Sequence, residues 1–168
     1  GYIIGNEDFW KDTDYTEYLY TKEGDFLTSG GQHTVTYMED DSLESGQYYL
    51  YMFDNNFGYS KTRKDYDWTV NEGIQTSILE GTTSYYYQYL VDENEGTYTL
   101  VKSFEVPFSA YVSSAQNLGD HIVVDSGIVG LLSIYDAGGN LEQQFSIKKN
   151  DRFIYRIYYY DYKGYYFS

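Results

Sequence analysis

The feature that most limits the fold is a rhythm. Short runs rich in Tyr, Val, Ile and Thr recur along the chain between clusters of Gly, Asp and Asn, and no segment sustains a helical period. The runs fall at 15–20, 33–38, 48–53, 74–79, 85–91, 97–104, 111–115, 121–124, 131–135, 141–147, 153–160 and 165–167, lengths typical of β-strands. The punctuation supports the same reading. Asp92-Glu93-Asn94-Glu95-Gly96 and Asp136-Ala137-Gly138-Gly139-Asn140 each predict a hairpin turn between neighbouring antiparallel strands. A train of short strands joined by such turns points to a sandwich, a barrel or a propeller.

Composition strengthens the all-β expectation. The 24 Tyr, 9 Phe and 2 Trp favour pleated strands, where a flat ring packs against its cross-strand neighbours. In the clusters Tyr85-Tyr86-Tyr87 and Tyr158-Tyr159-Tyr160, strand alternation puts every second ring on one face, so half of them are expected in a core and half on a surface. With 168 residues, 42% of them hydrophobic, the chain is long enough for one domain with a real core. A loose repeat also appears: aromatic-ended strands followed by Asp, as in Tyr51-Met52-Phe53-Asp54 and Ile134-Tyr135-Asp136, suggest equivalent outer positions in successive sheets.

Several function classes drop out. The formal charge of −15, from 11 basic and 26 acidic residues, repels a phosphate backbone and argues against a nucleic-acid partner. No Cys is present, which removes disulfides, thiol catalysis and zinc–thiolate sites. No apolar run has the length of a membrane span, and the opening Gly1-Tyr2-Ile3-Ile4-Gly5 lacks the order of a signal peptide. Glu39, Asp40 and Asp41 form an acidic cluster, but their spacing lacks the alternating ligands and central Gly of a calcium loop, so no metal site is assigned.

With two histidines, candidates for nucleophilic or proton-transfer chemistry near neutral pH are few. His33 stands in Gly30-Gly31-Gln32-His33-Thr34-Val35-Thr36-Tyr37, where a flexible glycine pair delivers it to the start of a strand. Beside that reading stands the ordinary one, a surface histidine with its hydrogen bonds satisfied. His121 follows a turn and opens a strand without a second catalytic group nearby, which predicts a structural role. Downstream of Phe53-Asp54-Asn55-Asn56, the loop carries Lys61, Arg63 and Lys64, and Arg63 offers the forked donors that suit a sulfate. The alternative for that loop is a solvated charged surface.

Four stretches together resemble the bacterial arylsulfate sulfotransferase family: Gly31-Gln32-His33-Thr34, Tyr51-Met52-Phe53-Asp54-Asn55, Phe108-Ser109-Ala110-Tyr111-Val112-Ser113-Ser114, and Tyr155-Arg156-Ile157-Tyr158. The Gln-His-Thr followed by a strand ending Phe-Asp-Asn is the most specific pair. The resemblance implies an all-β fold, the last blades of a six-bladed β-propeller. It makes residues 1–168 the C-terminal part of that domain, with the N-terminal blades and a small β-domain upstream. It further implies transfer of a sulfuryl group from a phenyl sulfate to a phenolic acceptor by a ping-pong route, with no nucleotide sulfate donor and no cofactor. His33 then corresponds to the histidine that is transiently sulfated, Ser113 to a small hydroxyl residue near the bound sulfate, and Tyr155 to an active-site tyrosine. Ser113 departs from the family pattern, where Thr is expected. Arg63 has no motif counterpart and rests on the loop alone.

On the same resemblance the partners are a phenolic donor, a phenolic acceptor and the N-terminal remainder of the enzyme, which would bring further histidines, a His-x-Asn motif and an arginine. The setting is bacterial, periplasmic or at the cell surface. Without its neighbouring blades the chain is expected to expose unpaired strand edges. Two rival readings share the composition: a noncatalytic tyrosine-rich module that binds carbohydrate or a cell-surface polymer, and a structural subunit.

Overall fold

A computed structural model describes residues 1–160. Its elements are a one-turn helix α1 (Glu7–Trp10) and nine strands: β1 (Thr21–Glu23), β2 (Gln32–Met38), β3 (Gln47–Asp54), β4 (Thr83–Asp92), β5 (Thr97–Pro107), β6 (Ser114–Asn117), β7 (His121–Ser126), β8 (Leu131–Asp136) and β9 (Leu141–Ser146). Two 3₁₀ turns, Thr16–Tyr18 and Trp68–Val70, complete the set. The all-β expectation holds.

The strands make two sheets. The first has the order β1-β5-β4-β3-β2 and the second β6-β7-β8-β9. Within each, four consecutive strands run antiparallel to their neighbours, β2 to β5 and β6 to β9, and β1 adds in parallel to the outer edge of β5. A four-stranded meander is the strand number and order of a propeller blade, so the two sheets are consistent with part of a propeller. Both expected hairpins are present. Asp92 accepts from the N–H groups of Asn94 and Glu95, and Asp136 accepts from those of Gly138 and Asn140, so each turn is closed by its own carboxylate.

The sheets pack face to face. Tyr51 and Phe53 of β3, Tyr86 of β4 and Val106 of β5 meet Ala115, Ile122, Val124 and Tyr135 of the second sheet. The other face of the first sheet is also covered, because Met52, Tyr87, Tyr89, Val91 and Tyr98 pack with Tyr20, Ile4 and Phe26 of the N-terminal segment. The tyrosine cluster of β4 therefore departs from expectation: Tyr86 and Tyr87 are both buried, on opposite faces, since this central strand is covered on both sides. The outer edge strand β9 is exposed along all six residues.

Other departures have local causes. The 15–20 run is a 3₁₀ turn ending in a bridge from Leu19 to Ile3, because Thr13 and Thr16 hydroxyls bond back to the Trp10 and Thr13 carbonyls and curl the chain. The 74–79 run pairs only through Gln75, with Phe57. The strand expected over 111–115 begins at Ser114, after two residues in left-handed conformation. The 153–160 run is extended but joins no ladder; it bonds instead to side chains of β6, with Ile157 N–H and carbonyl on the Ser114 hydroxyl and Tyr159 on the Gln116 amide. The run at 165–167 lies outside the described residues. Asp54 and Asp136 are not equivalent either, since Asp54 ends a second strand and Asp136 a third strand, which places them at opposite ends of their antiparallel sheets. The position matching Asp54 is Asp125, which faces the first residue pair of the other meander: Gln32 pairs with Asp54, and Ser114 with Asp125.

Candidate active site

The site lies where the first strands of the two meanders begin. His33 is the second residue of β2, half-buried, and Ser113 immediately precedes β6, which packs against β3 and β2. His33 Nδ1 is 2.6 Å from the Ser113 carbonyl oxygen and 2.9 Å from Thr34 Oγ1, and the Thr34 hydroxyl itself donates to the Ser113 carbonyl at 2.9 Å. A carbonyl oxygen can only accept, so the contact fixes the proton on Nδ1 and puts the ring's lone pair on Nε2.

Tyr155 completes the arrangement from the extended 154–160 segment. Its carbonyl accepts from Ser113 N–H at 3.1 Å, and its ring stands edge-on to the His33 imidazole, with centroids 5.4 Å apart. The Arg156 guanidinium lies 5.0 Å over the Tyr155 ring. His33, Ser113 and Tyr155, separated by long stretches of sequence, are thus brought together. Partial burial holds the imidazole below its ordinary value of 6.5; the Ser113 carbonyl opposes this by favouring the charged ring, and the positive charge of Arg156 reinforces it. Arg156 is the functional candidate that residue-by-residue reading of the sequence leaves without a role, although it stands inside a motif stretch.

Backbone strain concentrates here. Among the described residues, those other than glycine with positive φ are Asp12, Thr34, Asn56, Val112, Ser113 and Asn150. Asp and Asn tolerate this region; β-branched Thr34 (φ 56°) and Val112 (φ 58°) do not, and Ser113 (φ 90°) lies further out still. The β2–β3 register also slips between His33 and Thr36, so an irregularity at Thr34 and Val35 directly follows the regular His33–Phe53 pair.

Buried polar groups hold both strained loops. The Asp54 carboxylate, fully buried at the end of β3, accepts from the Ser29 hydroxyl at 2.9 Å, Gly31 N–H at 2.8 Å and Gly30 N–H at 3.3 Å. Burial pushes its pKa up, and these donors, with Asn56 N–H, pull it back. The adjoining Asn55 amide donates to the Ser109 carbonyl at 2.6 Å and the Val112 carbonyl at 2.9 Å, and Asn55 N–H donates to the Gly31 carbonyl at 2.9 Å. The Ser113 hydroxyl is fully buried, donating to Ser109 Oγ at 2.8 Å and accepting from Gly127 N–H at 3.0 Å. Its side chain is therefore a loop fastener, and Ser113 meets His33 through its carbonyl. This differs from the role near a sulfate that the resemblance implies for the hydroxyl.

Arg63 is engaged elsewhere. Its guanidinium donates to the Phe9 carbonyl and lies 4.9 Å from the Phe9 ring and 5.2 Å from the Tyr66 ring, fastening α1 to the 60–70 loop. None of its described contacts is with His33, Ser113 or Tyr155. His121 pairs with Glu142 at 2.9 Å on the surface, in line with a structural role. Asp40 caps its own turn through Ser42, and among the described residues no group of three or more His, Asp and Glu is arranged to hold a metal ion. Among the described residues no helix is long and apolar enough to cross a membrane.

No curated protein matches the sequence. The sequence model of the family described as arylsulfotransferase (ASST) matches residues 1–162, nearly the whole chain and every stretch that forms the site. The chain belongs to the arylsulfotransferase (ASST) family, whose members are sulfotransferases.

Proposed function

We propose that this protein transfers a sulfuryl group from an aryl sulfate to a phenol by a ping-pong reaction through a sulfohistidine at His33. The observation that carries the proposal is the 2.6 Å contact from Nδ1 to the Ser113 carbonyl, which puts the lone pair on Nε2 of a ring whose burial favours the neutral form. Nε2 attacks the sulfur of the donor, the S–N bond forms as the S–O(aryl) bond breaks, and the phenolate leaves. The Ser113 carbonyl, bonded to Nδ1–H, stabilises the positive charge that builds on the ring. A second phenol then attacks the same sulfur through its oxygen, its proton passing to solvent as the released phenolate takes one up, and the S–N bond breaks to return neutral His33. No nucleotide donor and no cofactor enter this sequence of bonds.

Tyr155, more than half exposed and edge-on to His33, is proposed to flank the aryl group of donor and acceptor. Arg156 supplies positive charge beside the transferring group. Ser113 acts through its carbonyl, and of the proposed substrate-binding residues Arg63 has the least support, since its contacts hold α1. The family resemblance assigns the remaining catalytic groups to other parts of the enzyme and the location to the bacterial periplasm or cell surface. The test is turnover of a phenyl sulfate by the complete protein and its His33→Ala variant; equal turnover in both would remove His33 as the nucleophile, and no turnover by the parent would leave a noncatalytic binding module as the better reading.

A further inference from the structure

We infer that Asp54 and Asn55 are positioning residues that act as a two-way brace, setting the His33–Ser113 contact and with it the tautomer of the nucleophile. The inference rests on His33 being that nucleophile. Neighbouring side chains in an extended chain point to opposite faces, so two consecutive polar residues, one ending β3 and one just past it, reach two different loops. Asp54 turns toward the loop before β2 and takes three hydrogen bonds from Ser29, Gly30 and Gly31. Asn55 turns toward the loop before β6 and gives two to the carbonyls of Ser109 and Val112, the latter one residue from Ser113. The backbone of Asn55 closes the brace by donating to Gly31. His33 follows one loop by two residues, and Ser113 closes the other.

Both loops need such a hold. Thr34, Val112 and Ser113 occupy strained conformations that persist only where the surroundings over-determine them. The second sheet supplies the comparison. Asp125 occupies the topological place of Asp54 and is equally buried, yet neither of its carboxylate oxygens has a partner among the described residues. A buried aspartate at this place is thus not enough to organise a loop; the donors of the Ser29-Gly30-Gly31 stretch make Asp54 different.

The test uses the complete protein with ¹⁵N-labelled histidine, in Asp54→Asn and Asn55→Asp variants that keep side-chain volume. Asn at 54 turns donors toward donors, and Asp at 55 turns oxygens toward two carbonyls. At a pH where the ring is neutral, the His33 signals are expected to move from the Nδ1–H form in the parent to a mixture of tautomers in both variants. The kcat is expected to fall by roughly tenfold to a hundredfold with KM within about twofold. Ser29→Ala, which removes a single donor, is expected to shift the signals the same way by less, and it serves if the other variants do not fold. Asp125→Asn is expected to leave tautomer and kcat at parental values. An unchanged tautomer in folded Asp54→Asn, Asn55→Asp or Ser29→Ala protein, or an equal shift in Asp125→Asn, overturns the brace. The tautomer is read without turnover, so an inactive parent would sink the sulfotransferase reading and leave this measurement decisive for the brace.

Discussion

His33 Nδ1 and the Ser113 carbonyl oxygen, eighty residues apart in sequence, meet at 2.6 Å across the junction of two sheets. Each belongs to the approach to a first strand, β2 in one meander and β6 in the other, and the face-to-face packing of the sheets brings those approaches together. A site built this way depends on the relation between sheets more than on either sheet alone.

The charge state of His33 follows from its surroundings. Burial and the cation of Arg156 both lower its pKa, so the nucleophilic neutral ring is expected to persist to a pH below the ordinary 6.5. An NMR titration should put the midpoint below the ordinary 6.5, and Arg156→Gln should move it upward because one of the two lowering influences is gone. A midpoint unmoved by that substitution would remove Arg156 from the electrostatics of the site.

Asp125 makes stability depend on pH. Burial raises its pKa to about 7 in the folded protein, whereas in the unfolded chain it titrates near 3.8, so the folded state holds an extra proton between those limits. That contribution is present in full below about pH 4 and is lost as the pH rises to about 7, a change on the order of 4 kcal/mol. Asp125→Asn should therefore gain stability relative to the parent as pH rises through this window and run parallel to it outside. Denaturant melts at several pH values check this; a constant difference would mean that Asp125 does not titrate there.

Gly127 lies directly against the start of the Tyr155 segment. A Cβ at this position would collide with the Ile154 carbonyl oxygen, and Gly127 also accepts from Ile154 N–H and donates to the Ser113 hydroxyl. Gly127→Ala should displace the 154–156 backbone and lower turnover by roughly tenfold or more, since misplacement of that size is costly at a reacting centre. A fully active alanine variant would show that the segment does not contribute to the site.

Arg63→Ala separates two roles. Loss of the Phe9 carbonyl bond and of two cation–ring contacts should cost about 1–2 kcal/mol of stability. Turnover at a temperature where the variant is folded should stay near the parental value. A large loss of turnover without loss of stability would restore the sulfate-binding role that its loop suggests.

Much of this was legible in the sequence, for physical reasons. Strand runs and hairpin turns are local signals, and the Asp92 and Asp136 turns form as their side chains dictate. The runs at 15–20 and 74–79 have strand-like residues without a full ladder to join, and a strand exists only where another pairs with it. The glycine pair before His33 was a sound pointer to an unusual strand start. What the sequence conceals is direction: that the Ser113 hydroxyl turns into a buried network while its carbonyl turns to His33, and that Arg63 closes on the Phe9 carbonyl. Asp54 and Asn55 lay in plain view within a motif, but their partners become visible only when both loops are in place.

The most direct measurement is of the intermediate itself. Incubating the complete enzyme with a phenyl sulfate and no acceptor should release a burst of phenol equal to the enzyme present and add one sulfuryl group to the peptide containing Gln32-His33-Thr34. Adding a phenol should discharge it. His33→Ala and His33→Asn should lose burst and turnover while remaining folded, and His121→Asn, which breaks only an exposed pair with Glu142, should keep both. Near-parental transfer by the His33 variants, or a label on any other residue, would contradict the assignment.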